Sequence, residues 1–344
     1  YTASPLCSPT RSAVLTGLHP ARTGLTAPTC HLAGEPILRP SLNLNTPAHH
    51  KLLTLTKVNR LDTKYPNMAK TLKQAEYHTA HFGKWHLGRS PYTALDLGFD
   101  VDIPNWYGPG PARSYVAPSK FPDFKEAYPG EHIEDRMADE IDAYLEKRAE
   151  DQKPFFINYS QSSVHGPFNA KADYVESYKD KVDPNDAQNF PTYAAMVKSL
   201  DDNVGRVIDQ LDELKLSKNT LIFFYSDNGG NIYSQVDGTT PTSNRPLRGG
   251  KGNNWDGGVR VPCIAVWPGH IEKKSKSKEL VTSTDFYPTI LDLLGIPKNE
   301  EQTFDGLSIR PALEGKPMDN RPIFTYFPHA TKVPDTLPNS TAIY

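Results

Sequence analysis

With 344 residues the chain has room for one large α/β domain, or one such domain with a small appendage. A formal net charge of -2 argues against a polyanion-binding surface, and so against nucleic acid as a partner. Three cysteines, Cys7, Cys30 and Cys263, are too few for a disulfide framework, and no apolar stretch is long enough to span a bilayer.

The chain opens Tyr1-Thr2-Ala3-Ser4-Pro5-Leu6, with no charged-then-apolar leader. Next comes Cys7-Ser8-Pro9-Thr10-Arg11, where Ser8 predicts an N-cap and Pro9 a first helical turn. Cys7 then stands just ahead of a helix N-terminus, where free N–H groups favour an anion. Met68, Leu72 and Ala75 share one helical face ahead of an apolar strand, Tyr77 to Phe82, which runs into Gly83-Lys84-Trp85-His86-Leu87-Gly88. Ile133, Met137, Ile141, Tyr144 and Leu145 stripe a second helix, followed by the strand Phe155 to Tyr159 and by Ser163-Val164-His165-Gly166-Pro167-Phe168. Leu200, Val204, Val207, Leu211 and Leu214 stripe a third, followed by the strand Leu221 to Tyr225 and by Asp227-Asn228-Gly229-Gly230. A fourth strand, Pro262 to Trp267, puts Cys263 in an apolar run as an inert core residue and precedes a helix from about Ser283 to Leu294. Ile323 to Phe327 reads as a last strand with no evident partner after it.

Helix and strand alternate, which predicts an α/β fold with a large, mainly parallel sheet sandwiched by helices. Such sheets present their chemistry at the carboxyl ends of their strands. The Pro- and Gly-rich stretches 27–50, 104–129 and 233–258 read as functional loops at the rim of a site. Cys30 is free or paired, Lys273 to Lys278 is a solvated turn, and Asn339-Ser340-Thr341 fits a glycosylation acceptor of a kind common by chance.

Asp227 and Asn228 at a strand end are hard oxygen ligands suited to Ca²⁺ or Mg²⁺, although the same tetrapeptide also makes turns and caps. Lys84 and His86 alternate along an extended segment and so point to one side; the plainer reading is a surface lysine beside a packed tryptophan. His165 by itself reads as a structural or capping histidine. In Leu247-Arg248-Gly249-Gly250-Lys251-Gly252 the glycines allow close approach to an oxyanion and Lys251 supplies a compact charge, but the spacing is not that of a phosphate-binding P-loop.

Together, Cys7-Ser8-Pro9-Thr10-Arg11 with Leu15-Thr16-Gly17, Gly83 to Gly88, His165 to Phe168, Asp227-Asn228 and Arg248 to Pro262 resemble the type I sulfatases of the alkaline phosphatase superfamily, in that family's order. The one departure noted is Asp256, where many members carry glutamate. The resemblance implies that a formylglycine-generating enzyme oxidises Cys7 to Cα-formylglycine. It implies that Asp227, Asn228 and the group at Cys7 hold Ca²⁺, with Mg²⁺ as the alternative, together with paired aspartates on a strand upstream of Tyr1. Arg11 and His86 would hold the aldehyde hydrate, and Lys84, His165 and Lys251 the sulfate, with His165 a candidate general acid. One hydroxyl of the hydrate would attack sulfur and the alcohol leave; the other would lose its proton to His86 and expel sulfate. Residues 1–320 would form the catalytic domain and 321–344 the start of a small antiparallel C-terminal subdomain.

Asn105, Trp106 and Tyr107, Arg245 and His329 are rim candidates for binding the rest of the substrate, the aromatic pair suiting a sugar ring. Thr23 to Pro28 resembles bacterial sulfatases that degrade sulfated polysaccharides, which implies a sulfated carbohydrate substrate and an exported protein, periplasmic or secreted. The rival readings are a phosphate or phosphonate monoester hydrolase of the same superfamily and a non-catalytic binder of sulfated glycans.

Overall fold

The computed structural model describes residues 1–45, 48, 53, 55–234, 236, 239–299, 302–329 and 340–344; Asn339 of the glycosylation triplet lies outside them. The helices are α1 (Cys7–Thr16), α2 (Pro20–Thr23), α3 (Met68–Gln74), α4 (Ile133–Asp151), α5 (Ala172–Lys179), α6 (Pro191–Glu213), α7 (Asp256–Val259), α8 (Phe286–Leu294) and α9 (Arg310–Leu313). The strands are β1 (His78–Lys84), β2 (Val101–Trp106), β3 (Phe155–Ser160), β4 (Ile222–Tyr225), β5 (Cys263–Val266), β6 (Phe324–Phe327) and β7 (Ser340–Ile343).

Strands β2, β1 and β3 lie side by side in that order and run parallel, with Phe82 opposite Ile103 on one side and Tyr159 on the other. Both faces are covered, as a parallel sheet requires. Ala80 and Phe82 are buried against Ile141, Tyr144 and Leu145 of α4 and Leu211 of α6. On the opposite face Phe156 meets Met68 and Leu72 of α3 and Phe286, Tyr287 and Leu291 of α8. The apolar stripes therefore describe the buried faces of α3, α4 and α6. Strand β2 runs three residues into the stretch 104–129 that its Pro and Gly content marked as loop; proline lacks an N–H to donate and is tolerated in an edge strand, the place β2 occupies.

The third and fourth predicted strands, now β4 and β5, pair with each other, antiparallel, with Phe224 opposite Ile264. Cys263 is a correction. It lies exposed on β5, whose Ile264 and Val266 are also exposed, so an apolar run here does not mark a buried core. Strand β6 does have a partner: β7 pairs with it antiparallel, Tyr326 opposite Thr341, and four residues with mixed polarity give little sequence signal. The hairpin is stitched to the start of the chain by the Tyr326 N–H to the Ala3 carbonyl and by the rings of Tyr1 and Tyr344. Among the described residues no helix is long and apolar enough to cross a membrane.

Asp102 of β2 has only the Ala94 backbone to offset its burial, which lifts its carboxyl to about 7. Between pH 4 and 7 the unfolded chain releases a proton that the folded chain keeps, so the stability this neutral carboxyl supports is complete at low pH and lost as pH rises. Asp102→Asn is expected to raise the melting temperature at pH 8, by a stabilisation on the order of 2 kcal/mol, and to change little at pH 4.5. Thermal denaturation at the two pH values checks it.

Candidate active site

Cys7 is the first residue of α1 and is only 1% exposed. Ser8 does not cap the helix; Leu6 occupies the N-cap without a side-chain bond, and the Ser8 hydroxyl donates instead to the His86 carbonyl at 2.7 Å. The start of α1 is thereby tied to the segment following β1. Arg11, one turn on, completes the link: its Nε donates to the Trp85 carbonyl at 3.2 Å, its Nη2 to the Lys84 carbonyl, and its Nη1 to Asp227 Oδ2 at 3.2 Å.

The extended alternation expected for Lys84 and His86 is broken. The ladder slips between Phe82 and Lys84, and His86 has φ of 53°, in the left-handed region. Gly83 permits the slip: its φ is 93°, and a Cβ there would lie 2.2 Å from the Ser160 carbonyl oxygen. Both side chains nonetheless reach one place. Lys84 Nζ lies 4.0 Å from Asp227 Oδ2, and His86 Nδ1 lies 3.3 Å from Cys7 Sγ.

His86 Nε2 meets a residue that no motif marked, His31, whose Nδ1 is 2.9 Å away. Burial, with Lys84, His31, Arg11 and Lys251 nearby, drives the His86 pKa well down and keeps the ring neutral. Two proton arrangements fit the chain Cys7, His86, His31, one being the other with each proton moved by one heavy atom. His31 stands in the proline- and glycine-rich stretch after α2, where periodicity carries no signal.

The loops after β4 and before β5 interlock through backbone. Gly229 N–H donates to the Gly258 carbonyl, Lys251 N–H to the Gly230 carbonyl, and Gly252 N–H to the Pro5 carbonyl two residues before Cys7. Asn244, also missed in the sequence, accepts from the Gly230 N–H and donates to the Gly230 and Gly249 carbonyls. Lys251 is thus held beside Asp227. Burial alone would raise the Asp227 carboxyl, but Lys84, Arg11 and Lys251 outweigh it and hold it below the usual carboxylate range. Burial, followed by Lys251 and Lys84, pushes His165 down to about 3, so it is neutral. Its Nδ1 carries a proton toward the Gly166 carbonyl at 2.7 Å, leaving Nε2 as an acceptor.

The donor set fits a hard cation in part. Asn228 Oδ1 is shut off from solvent without a hydrogen-bond partner, beside the Asp227 carboxylate. Among the described residues no group of three His, Cys, Asp or Glu side chains converges to hold a metal, so Asp227 and Asn228 supply only a portion of the six to eight oxygens that Ca²⁺ takes.

Cys7, Arg11, Lys84, His86, His165, Asp227 and Lys251 are therefore brought together. The rim candidates fare differently. Trp106 is half-buried: its indole N–H donates to the Gly110 carbonyl at 2.8 Å and its ring packs at right angles to Phe121. His329 is buried, bonded to the Thr26 hydroxyl at 2.8 Å and pushed down to about 4 by burial. Asn105 and Arg245 are exposed, and Tyr107 lies under the Arg89 guanidinium. A groove of about 540 Å³ between α4 and α6 is lined by Asp142, Asp201, Asp202 and Asp209, which would repel a sulfate ester.

The profile of the family described as Sulfatase matches residues 1–296. N-acetylgalactosamine-6-sulfatase of Canis lupus familiaris is 30% identical over 346 residues, covering 95% of this chain and 60% of that protein. A protein described as Sulfatase from Formosa agariphila is 30% identical, covering 94% of this chain and 66% of that protein. The solved structure of Ps i-CgsB in complex with k-i-k-neocarrahexaose superposes with a TM-score of 0.75 at 26% identity, over 95% of this chain and 70% of that one. The chain thus spans about 60% of the length of the first curated relatives it matches.

Three cations face one carboxylate and leave an excess of positive charge. Inorganic sulfate is expected to raise the melting temperature beyond sodium chloride of equal ionic strength, by about 2.7 kcal/mol of stabilisation at a hundredfold excess over its Kd. Lys251→Met should lose most of that increment; scanning calorimetry of both proteins checks it.

Proposed function

Because the chain belongs to the sulfatase family, we propose that it hydrolyses sulfate monoesters on a sulfated carbohydrate, with Cys7 oxidised to Cα-formylglycine and Ca²⁺ or Mg²⁺ held in part by Asp227 and Asn228. The observation that carries this is the convergence of Arg11, Lys84 and Lys251 on Asp227 beside a buried Cys7 bonded to His86. A sulfate monoester resists attack because its oxygens repel an incoming nucleophile, and cations around those oxygens lower that barrier. The named relative acting on N-acetylgalactosamine 6-sulfate and the neighbour holding a neocarrahexaose support a sulfated glycan. A polymer of that kind is met outside the cytoplasm, which favours an exported protein.

The oxidised Cys7, formed by a formylglycine-generating enzyme, would supply a geminal diol as nucleophile, and the cation would add positive charge at the sulfuryl oxygens. Lys84 and Lys251 bind those oxygens, and His165 Nε2 faces the same group. Arg11 acts mainly as a cross-link, since its three nitrogens hold the Trp85 and Lys84 carbonyls and Asp227. His86 Nδ1 takes a proton from the group at position 7 and His86 Nε2 shares the load with His31 Nδ1. His165 becomes a proton donor only when a bound dianion offsets Lys251 and Lys84.

The full-length protein, co-expressed with a formylglycine-generating enzyme, is expected to release sulfate from an aryl sulfate and from sulfated oligosaccharides, and far less phosphate from an aryl phosphate. Cys7→Ala should abolish release. A chelator should remove activity and Ca²⁺ restore it, except in Asp227→Ala. Phosphate release exceeding sulfate release would move the reading to a phosphoester hydrolase, and no release from modified, Ca²⁺-loaded protein to a glycan binder. His31→Ala should lower kcat about tenfold through a disordered His86, with steady-state kinetics as the check.

A further inference from the structure

His165 sits on a segment, Ser162 to Gly166, that belongs to neither a helix nor a strand. Two buried side chains outside the cationic cluster grip that segment, and the reaction described above uses neither. Tyr115, 1% exposed, shares its hydroxyl between the Ser162 carbonyl at 2.6 Å and the His165 carbonyl at 2.8 Å. Glu134, the second residue of α4 and also 1% exposed, accepts from the Ser163 N–H at 2.9 Å and the Ser163 hydroxyl at 3.2 Å. Burial raises the Glu134 carboxyl to about 7, and the bonds it accepts from Ser163 and Ser162 work against that rise. The two grips come from different parts of the chain, residue 115 in a long loop and residue 134 on the helix α4.

The same loop presses on the imidazole itself. Trp106 holds the Gly110 carbonyl, and a Cβ at Gly110 would lie 3.1 Å from His165 Nδ1 and 2.9 Å from the Gly166 carbonyl oxygen. Asn169 locks the two loops together, accepting from the Tyr115 N–H at 3.2 Å and donating to the Ser114 hydroxyl at 2.6 Å. The ring is thus held with Nδ1 toward Gly166, within electrostatic reach of Lys251 and Lys84.

We propose that Tyr115 and Glu134 are positioning residues for His165, fixing the segment that aims its Nε2 at the sulfuryl group. The role rests on the sulfatase reading. It also predicts that the free protein already holds His165 in one tautomer.

The test is a double-substitution cycle in the full-length, modified protein with an aryl sulfate. Tyr115→Phe, which keeps the buried ring, is expected to lower kcat/KM by about tenfold to a hundredfold in the otherwise native protein and by less than twofold in His165→Ala. Glu134→Ala should behave alike, and Glu134→Gln, whose amide oxygen still accepts from Ser163, should recover most of the loss. The second readout needs no turnover: histidine ¹⁵N shifts, assigned with His165→Ala, should show one Nδ1–H tautomer in the native protein and a mixture in Tyr115→Phe. An equal loss in both backgrounds, or no loss in the native one, together with an unchanged tautomer, overturns the proposal. If the native protein turns over no sulfate ester, it is the functional reading that falls, and the ¹⁵N shifts alone decide whether Tyr115 and Glu134 hold His165.

Discussion

Asp227 is the carboxylate around which the site is organised, with Arg11 at 3.2 Å and Lys84 at 4.0 Å. Two unit charges 4 Å apart interact by about 4 kcal/mol at the effective dielectric near a protein surface, so a lysine and an arginine cannot share a half-buried pocket without an anion between them. One carboxylate offsets that repulsion without cancelling the positive charge, because Lys251 also bears on it. Burial first, and then the remaining excess of positive charge, hold the pKa values of His86 and His165 down.

Nothing in this arrangement is local. Arg11 comes from α1, Lys84 from the end of β1, Asp227 from the turn after β4 and Lys251 from the loop before α7. What holds them in register is backbone: Gly252 to Pro5, Lys251 to Gly230, Gly229 to Gly258, and the Arg11 fork on the Lys84 and Trp85 carbonyls. Side-chain chemistry and the scaffold are joined most tightly where glycine lets two backbones touch, as at Gly83 against Ser160.

The cluster itself was legible through the resemblance of its short motifs, in order, to those of the sulfatases, since taken singly Lys84, His165 and the Asp227-Asn228 pair read equally as surface, capping and turn groups. The helices over 133–151 and 191–213 were legible because one face of each is apolar at helical spacing. Elsewhere the signal was weaker than the physics that decides. The Pro and Gly content of 104–129 suggested a loop although an edge strand tolerates Pro104, and Cys263 sat in an apolar run that the fold leaves exposed. Trp106 and His329 each have a ring N–H or ring nitrogen bonded inside the protein, partners that the sequence does not mark. His31 and Asn244 act through hydrogen bonds across 55 and 14 positions, a relation that no periodicity encodes.

The enclosure of Cys7 has a consequence for the order of events in the life of the chain. The segment just ahead of it is tied down by residues that come late in the chain: Val259 takes the Thr2 N–H, Gly252 reaches Pro5, and Ser283 accepts from Ala3. Contacts of such long sequence separation form only after the intervening residues have been synthesised. For the time the ribosome needs to add more than two hundred residues, the cysteine that the finished fold hides stays within reach of another enzyme, and folding itself closes that interval.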